Sequence, residues 1–263
     1  MNILQYEKLE QDLPRLQSEY KNASPYPHIV IDNFLEQSVA DQALKEFPGT
    51  QTLAWKEYKH VNSQKKFQKS DRSQFPEVLG NIMDELNSPR FVLWLSKLCG
   101  LPTLEADLSM AGGGMHQSEK GGFLNVHADF TVHPANALLM RRVNVLIYFN
   151  KDWKTEYNGQ LEMWNREMKG CEKKISPDFN RCVIFYTPGS FHGHPDPLAC
   201  PTGVSRKSLA LYYYTKEEKP TKILSTEYRA RPNDSAVKGV SIYLDKLLLR
   251  AVDRVRRILG MTK

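Results

Sequence analysis

Apolar residues change their spacing along this chain, and the change divides it. From Leu104 to Thr215 they fall in short runs separated by turn residues, clearest at Leu124 to Asp129, Val143 to Phe149, Gln160 to Trp164, Cys182 to Tyr186 and Ser208 to Tyr214. Short β-branched and aromatic runs at this density predict an antiparallel sandwich or barrel. Before Leu104 the period is helical. Val78, Leu79, Ile82, Met83 and Leu86, then Phe91, Leu95 and Leu98, give a helical pattern interrupted near Ser88-Pro89, and a further helix is expected from Ser38 to Phe47, stopped by Pro48-Gly49. Residues 1 to 22 suit a short surface helix. Pro25 and Pro27 favour an extended backbone leading into the β-branched run His28 to Ile31. Residues 50 to 76 are polar and lysine-rich with little periodicity, which predicts a mobile loop or lid, and the glycines of Gly112 to Gly122 predict another loop. At the other end, Leu244, Leu247, Leu248, Ala251, Val252, Val255, Ile258 and Leu259 form one helical stripe with arginines opposite. The expected organisation is an N-terminal α/β region (1–103) packed on a β core (104–215), then a basic C-terminal extension (216–263).

Composition narrows the class. A chain of 263 residues with 41% apolar and 10% aromatic residues can bury one large core. No apolar run approaches the roughly 20 residues that span a bilayer, and the first residues are too polar for a signal peptide. A soluble, cytoplasmic protein without a transmembrane segment is expected. Cys99, Cys171, Cys182 and Cys200 lack CxxC spacing and read as reduced thiols. The net charge is +6, and residues 241 to 263 alone carry six cations against two carboxylates, so much of the excess belongs to the tail. The amphipathic tail suits self-packing, a homodimer contact or a peripheral membrane surface. Nucleic acid is not expected as a partner, because no aromatic platform or recognisable module accompanies the basic residues.

The candidate chemistry begins at His127-Ala128-Asp129. In an extended strand residues i and i+2 share a face, so an imidazole and a carboxylate project together. They are two of the three ligands of a facial 2-His-1-carboxylate iron site, which leaves further coordination positions open. The turn Thr187-Pro188-Gly189 then delivers Ser190-Phe191-His192, and His192 is the candidate third ligand. Fourteen residues later Arg206 and Ser208 share one face of the next strand; a guanidinium beside a hydroxyl can hold a carboxylate.

The order of HAD (127–129), His192 and the RKS of Arg206 to Ser208 resembles the Fe(II)- and 2-oxoglutarate-dependent oxygenases, in particular their prolyl 4-hydroxylase-like branch. Further support comes from LIYFNKDW (Leu146 to Trp153), NGQLEMW (Asn158 to Trp164) and PYPHIVIDNFL (Pro25 to Leu35). The resemblance covers roughly residues 24 to 215. It implies a mainly β fold with flanking helices around a double-stranded β-helix, the jelly-roll or cupin-like core. It also implies that His127, Asp129 and His192 hold Fe(II), that Arg206 and Tyr148 bind the distal carboxylate of 2-oxoglutarate with help from Ser208, and that ascorbate can be an accessory reductant. Hydroxylation of a C–H bond, with dioxygen consumed and succinate and carbon dioxide released, is the implied reaction. Gly159-Gln160 departs from the two glycines found in many relatives. His194 offers a second imidazole two residues beyond His192, although the aromatic-His pattern fits Phe191-His192 better.

A lone strand histidine is often only a satisfied polar group, and a tyrosine in an apolar strand is usually core; the ordered set lifts His127 and Tyr148 above that. His28 and His133 are read as structural. Candidate substrate contacts are His116 and Gln117 in the glycine-rich segment, Arg142 and Asn144 on one face of their strand with Arg141 on the other, and His194. The substrate is expected to be small or peptidyl, and the basic candidates favour an acidic one. Competing functions are a non-catalytic metal-binding jelly roll acting as scaffold or sensor, and a non-oxidative metal isomerase or hydrolase. Arg206 argues against the scaffold, which needs no carboxylate clamp.

Overall fold

The computed structural model describes residues 2–221 and 224–258. In chain order the elements are α1 (Tyr6–Gln11), α2 (Leu13–Asn22), β1 (His28–Asp32), α3 (Gln37–Glu46), β2 (Lys56–His60), β3 (Ser63–Lys69), α4 (Glu77–Leu86), α5 (Pro89–Cys99), β4 (Glu105–Ala106), β5 (Gly114–Ala128), β6 (Val132–His133), β7 (Asn136–Tyr148), β8 (Leu161–Trp164), β9 (Cys171–Ile175), β10 (Arg181–Tyr186), β11 (Phe191–His194), β12 (Arg206–Lys216), β13 (Glu227–Tyr228) and α6 (Ala236–Ile258). The break between α4 and α5 falls where Ser88 caps the second helix by accepting from the Phe91 N–H and Pro89 opens it; Gly100, at φ 61°, ends it in the left-handed region.

The strands follow the order β1-β10-β7-β12-β5-β11-β8-β9, antiparallel throughout. This curled sheet is the double-stranded β-helix, and β5 belongs to both of its walls. Its first residues, Gly114 to Ser118, pair with β12, whereas its far end pairs with β11 through His127 opposite His192. Between those halves Gly121 has φ 80° and a Cβ on Gly122 would meet the Glu119 carbonyl oxygen at 2.8 Å, so the strand turns from one wall to the other where only glycine fits easily. Odd-numbered residues of β7 and β12, among them Val143, Val145, Ile147, Leu209 and Leu211, face the helices and join Leu79, Ile82, Phe91 and Leu95 in one core. Asn144 and Leu146 of β7 and Arg206, Ser208, Ala210 and Tyr212 of β12 face the interior of the barrel.

Two sequence expectations are corrected here. The lysine-rich segment expected as a mobile loop forms the β2–β3 hairpin, and β3 pairs with β5 from Ser63 to Lys69. The glycine-rich segment expected as a second loop is the start of β5. Both hide from a hydrophobic-period reading for the same reason: their inward residues (Lys66, Gln68, His116, Ser118) are polar because they border a cavity, not a core. The C-terminal stripe does lie on a helix, α6, where Ile242 is buried and Leu244, Leu247 and Leu248 are exposed. The side chains of Ala251, Val252, Val255 and Ile258, and all of Leu259, lie outside the described residues. Asn62, in the hairpin turn, donates to Asp245 of α6 at 2.6 Å. Among the described residues no helix is long and apolar enough to cross a membrane, and all four cysteines are free thiols.

Candidate active site

His127 and His192 are cross-strand partners, with ring centroids 4.6 Å apart. Asp129 leaves the end of β5 and turns its carboxylate toward both, Oδ1 3.5 Å from His127 Nε2 and Oδ2 3.5 Å from His192 Nε2. All three ligand atoms lie within 4.8 Å of one another. The His127 Nδ1 is 2.9 Å from the Asn125 carbonyl and the His192 Nδ1 is 3.1 Å from the Ser190 carbonyl. Donation from each Nδ1 leaves each Nε2 lone pair aimed at the carboxylate, and three such acceptors facing one another call for a cation between them. Two imidazoles and a carboxylate are also the donor set of a facial iron centre, so these residues fit that metal. His194 lies outside the triad, although it borders the same cavity from the end of β11.

Asp129 is held from behind. Arg141 Nη2 donates to Oδ2 at 3.0 Å and Asn144 Nδ2 donates to the same oxygen at 2.9 Å. Arg141 also donates twice to Asn144 Oδ1, at 3.0 and 2.8 Å, and its guanidinium lies 3.4 Å from the centre of the Tyr212 ring and 4.6 Å from that of Phe130. Burial works to raise the Asp129 carboxyl, but Arg141, with His192 and His127, outweighs it and holds Asp129 well below the usual carboxylate range. Burial pushes His192 down to about 4 despite the opposing pull of Asp129, so its imidazole is neutral at pH 7 and free to bind a metal.

Arg141 was expected on the face opposite Asn144. The alternation fails because Tyr213 pairs with Val143 whereas Tyr214 pairs with Arg141, leaving Arg142 as an extra residue in β7. This bulge brings Arg141 and Asn144 to the same side. Arg142 goes outward instead, donating to Thr215 Oγ1 at 2.7 Å and pairing with Glu217 at 2.9 Å, so it is removed from the cavity it was expected to line.

The opposite wall follows from register, because directly opposed residues of antiparallel strands project to one face. One row is Lys66–Ser118–Arg206, and the next is Gln68–His116–Ser208–Tyr148. Arg206 is buried; its Nε donates to the Gly159 carbonyl at 2.7 Å and its Nη2 to the Tyr148 hydroxyl at 3.2 Å. Gly159 has φ 80°, and a Cβ there would come within 3.1 Å of Arg206 Cδ and 2.6 Å of Leu198, so the position beside Arg206 requires the glycine that is kept, and the departure from the expected pair falls on Gln160. The His116 Nε2 and His194 Nδ1 are buried without a partner among the described residues. Burial, aided by Lys66, pushes His116 down to about 3, and burial with Arg206 pushes His194 well below the ordinary value. Gln117 borders the cavity, but its amide is engaged by the Pro48 carbonyl and the Ser205 hydroxyl.

Two connected chambers result. One contains Arg206, Ser208, His116 and His194; the other is walled by Tyr58, His60, Phe130, Arg141 and Tyr228; His127, Asp129, Lys66, Leu124 and Tyr212 border both. The second chamber was not anticipated from sequence. Its hairpin residues lay in the segment read as a loop, and Arg141 is revealed only by the bulge.

Among curated sequences none matches the chain. Solved structures of similar fold include a prolyl hydroxylase from Trichoplax adhaerens in complex with a hypoxia inducible factor peptide (19% identity, TM-score 0.56, covering 80% of this chain and 92% of that one). They also include a Pseudomonas putida prolyl-4-hydroxylase (18%, 0.54, 78% and 100%) and a non-heme alpha-ketoglutarate-dependent epimerase from nogalamycin biosynthesis (12%, 0.52, 87% and 89%). At these identities the likeness speaks for the fold. The sequence profile of the 2OG-Fe(II) oxygenase superfamily matches residues 113–214, a span that contains His127, Asp129, His192 and Arg206. The jelly-roll core of this chain therefore matches the 2OG-Fe(II) oxygenase superfamily over residues 113–214, and its His-Asp-His set supports a dioxygenase that uses iron and 2-oxoglutarate.

Proposed function

We propose that the protein hydroxylates a C–H bond of an amino-acid residue or small metabolite, with 2-oxoglutarate and dioxygen consumed and succinate and carbon dioxide released. His127, Asp129 and His192 would hold the iron, which when bound supplies the redox chemistry that couples dioxygen to both oxidations. Arg206 and the Tyr148 hydroxyl receive the distal carboxylate of 2-oxoglutarate, and Ser208, in the adjacent row, adds a hydroxyl. Arg141 and Asn144 fix the carboxylate ligand. The primary substrate enters the second chamber, where the aromatic wall and the hairpin exclude water from the reacting face. Two of the similar folds are prolyl hydroxylases, one with a peptide, which supports the amino-acid class.

The observation that carries this reading is Arg206. It is a buried guanidinium in the cavity, bonded only to neutral oxygens and aligned by Tyr148 and Gly159. A cation so placed has no carboxylate partner among the described residues and calls for an anionic ligand, which a metal-binding scaffold does not need. Replacing Arg206 with Met is expected to raise the KM for 2-oxoglutarate by about 10-fold or more in a succinate-release assay with added Fe(II) while leaving metal affinity nearly intact. An unchanged KM would sink the assignment.

A further inference from the structure

Among the described residues Lys66 is the one lysine or arginine that borders both chambers, although its lysine-rich segment reads in the sequence as a loop. It projects from β3 in the same row as Ser118 and Arg206. Among the described residues its ammonium has no hydrogen-bond acceptor or ion-pair partner; it lies over the Tyr58 ring, with the centroid at 5.6 Å. Arg141 adds a second unanswered donor, since its Nη1 is buried without a partner while its other nitrogens serve Asp129 and Asn144.

Charge sharpens the picture. Among the described residues, those lining the two chambers include three cations, Lys66, Arg141 and Arg206, against a single carboxylate, Asp129. A divalent metal and a dianionic co-substrate cancel each other, so loading the site leaves that excess standing. Arg206 is already committed to the co-substrate chamber through Tyr148 and Gly159. Lys66 stands two strands away, about 10 Å between backbones at ordinary strand spacing, and unlike Arg206 it opens onto the aromatic-walled chamber.

We propose that Lys66 and the free edge of Arg141 bind an anionic group, carboxylate or phosphate, of the primary substrate, so that the substrate class is acidic. The proposal rests on the oxygenase reading above. It moves the basic contact away from Arg142, which faces outward, to a residue on the hairpin that roofs the chamber. Aromatic rings on the remaining walls then pack against the apolar part of the same molecule.

The test uses the full-length protein loaded with Mn(II) and 2-oxoglutarate, with inorganic phosphate and acetate as probes. Paramagnetic broadening of the phosphorus or carboxyl carbon resonance reports an anion seated near the metal. Saturable broadening is expected in the wild type, its apparent Kd raised by about tenfold or more in Lys66→Met and largely restored in Lys66→Arg. The 2-oxoglutarate Kd should change little in either variant, and Arg142→Met should behave as wild type. Whichever probe saturates at lower concentration identifies the carboxylate or phosphate source. Absence of saturable broadening with both probes, or equal Kd values in wild type and Lys66→Met, overturns the proposal. So does a comparable rise in the 2-oxoglutarate Kd of Lys66→Met, which would assign Lys66 to the co-substrate clamp. Failure of the wild type to bind Mn(II) or 2-oxoglutarate at all would instead overturn the oxygenase reading beneath it.

Discussion

Asp129 shows how much of a candidate metal ligand's behaviour is set by its neighbours. Its carboxylate is oriented by Arg141 and Asn144 and kept ionised against the cost of burial. Replacing Arg141 with Met should lower Mn(II) affinity by about 10- to 100-fold. It should also move the loss of binding to higher pH: the native carboxyl titrates well below its usual range, and without the guanidinium its pKa rises, so protons compete sooner as pH falls. Mn(II) titrations between pH 5 and about 8 would check both effects. His116 gives the converse case. Burial holds it neutral, with a folded pKa of about 3 against an ordinary value of 6.5, so below 6.5 the unfolded chain binds the extra proton. Its contribution to stability is therefore present above about 6.5 and declines as pH falls toward 3, by on the order of 1 kcal/mol per pH unit. Denaturant melts of the metal-free protein should show that slope, and His116→Gln should remove about one proton from it. At this scale the sequence was legible where chemistry is written in residue type: His127, Asp129, His192 and Arg206 stand out as letters. Arg141 and Lys66 did not, because an arginine or a lysine in a polar stretch is ordinarily a solvated surface residue.

Elements determine whether those letters meet. β11 lies so close to β5 that a Cβ on Gly193 would fall 2.8 Å from the Leu124 carbonyl oxygen and 2.9 Å from that of Asn125. Both obstacles are backbone, so Gly193→Ala must push the strands apart and part His192 from His127. A loss of about 1 to 3 kcal/mol in stability is expected, accompanied by weaker Mn(II) binding; a thermal melt and a metal titration on one sample test the two together. An unchanged metal affinity would show that the His-Gly-His spacing is not what seats the ligand. The helices and the apolar strands were readable because their burial is two-sided or strictly periodic. The β2–β3 hairpin was not, since one face looks into a polar cavity and the other into solvent, and such a strand carries no hydrophobic alternation to read. The bulge at Arg142 escaped for a different reason: it depends on pairing across strands far apart in sequence.

On the scale of the molecule, the helices and the outward face of β7 and β12 form one core, and the barrel interior is reserved for the site. The roof of the second chamber is tied to the far end of the chain by Asn62 and Asp245, residues separated by 183 positions. Cutting that bond with Asp245→Ala should speed amide hydrogen exchange across Lys56 to Lys69 while leaving β7 and β10 protected; uniform exchange in both proteins would show that the hairpin stands unaided. The bond also has a thermodynamic meaning. Any influence that repositions α6 alters the free energy of closing the roof, and a molecule held under the roof must alter the position of α6 by the same amount, because coupling between two sites is reciprocal. A change made in the C-terminal helix is in this sense a change in substrate affinity, reached through the bond between Asn62 and Asp245.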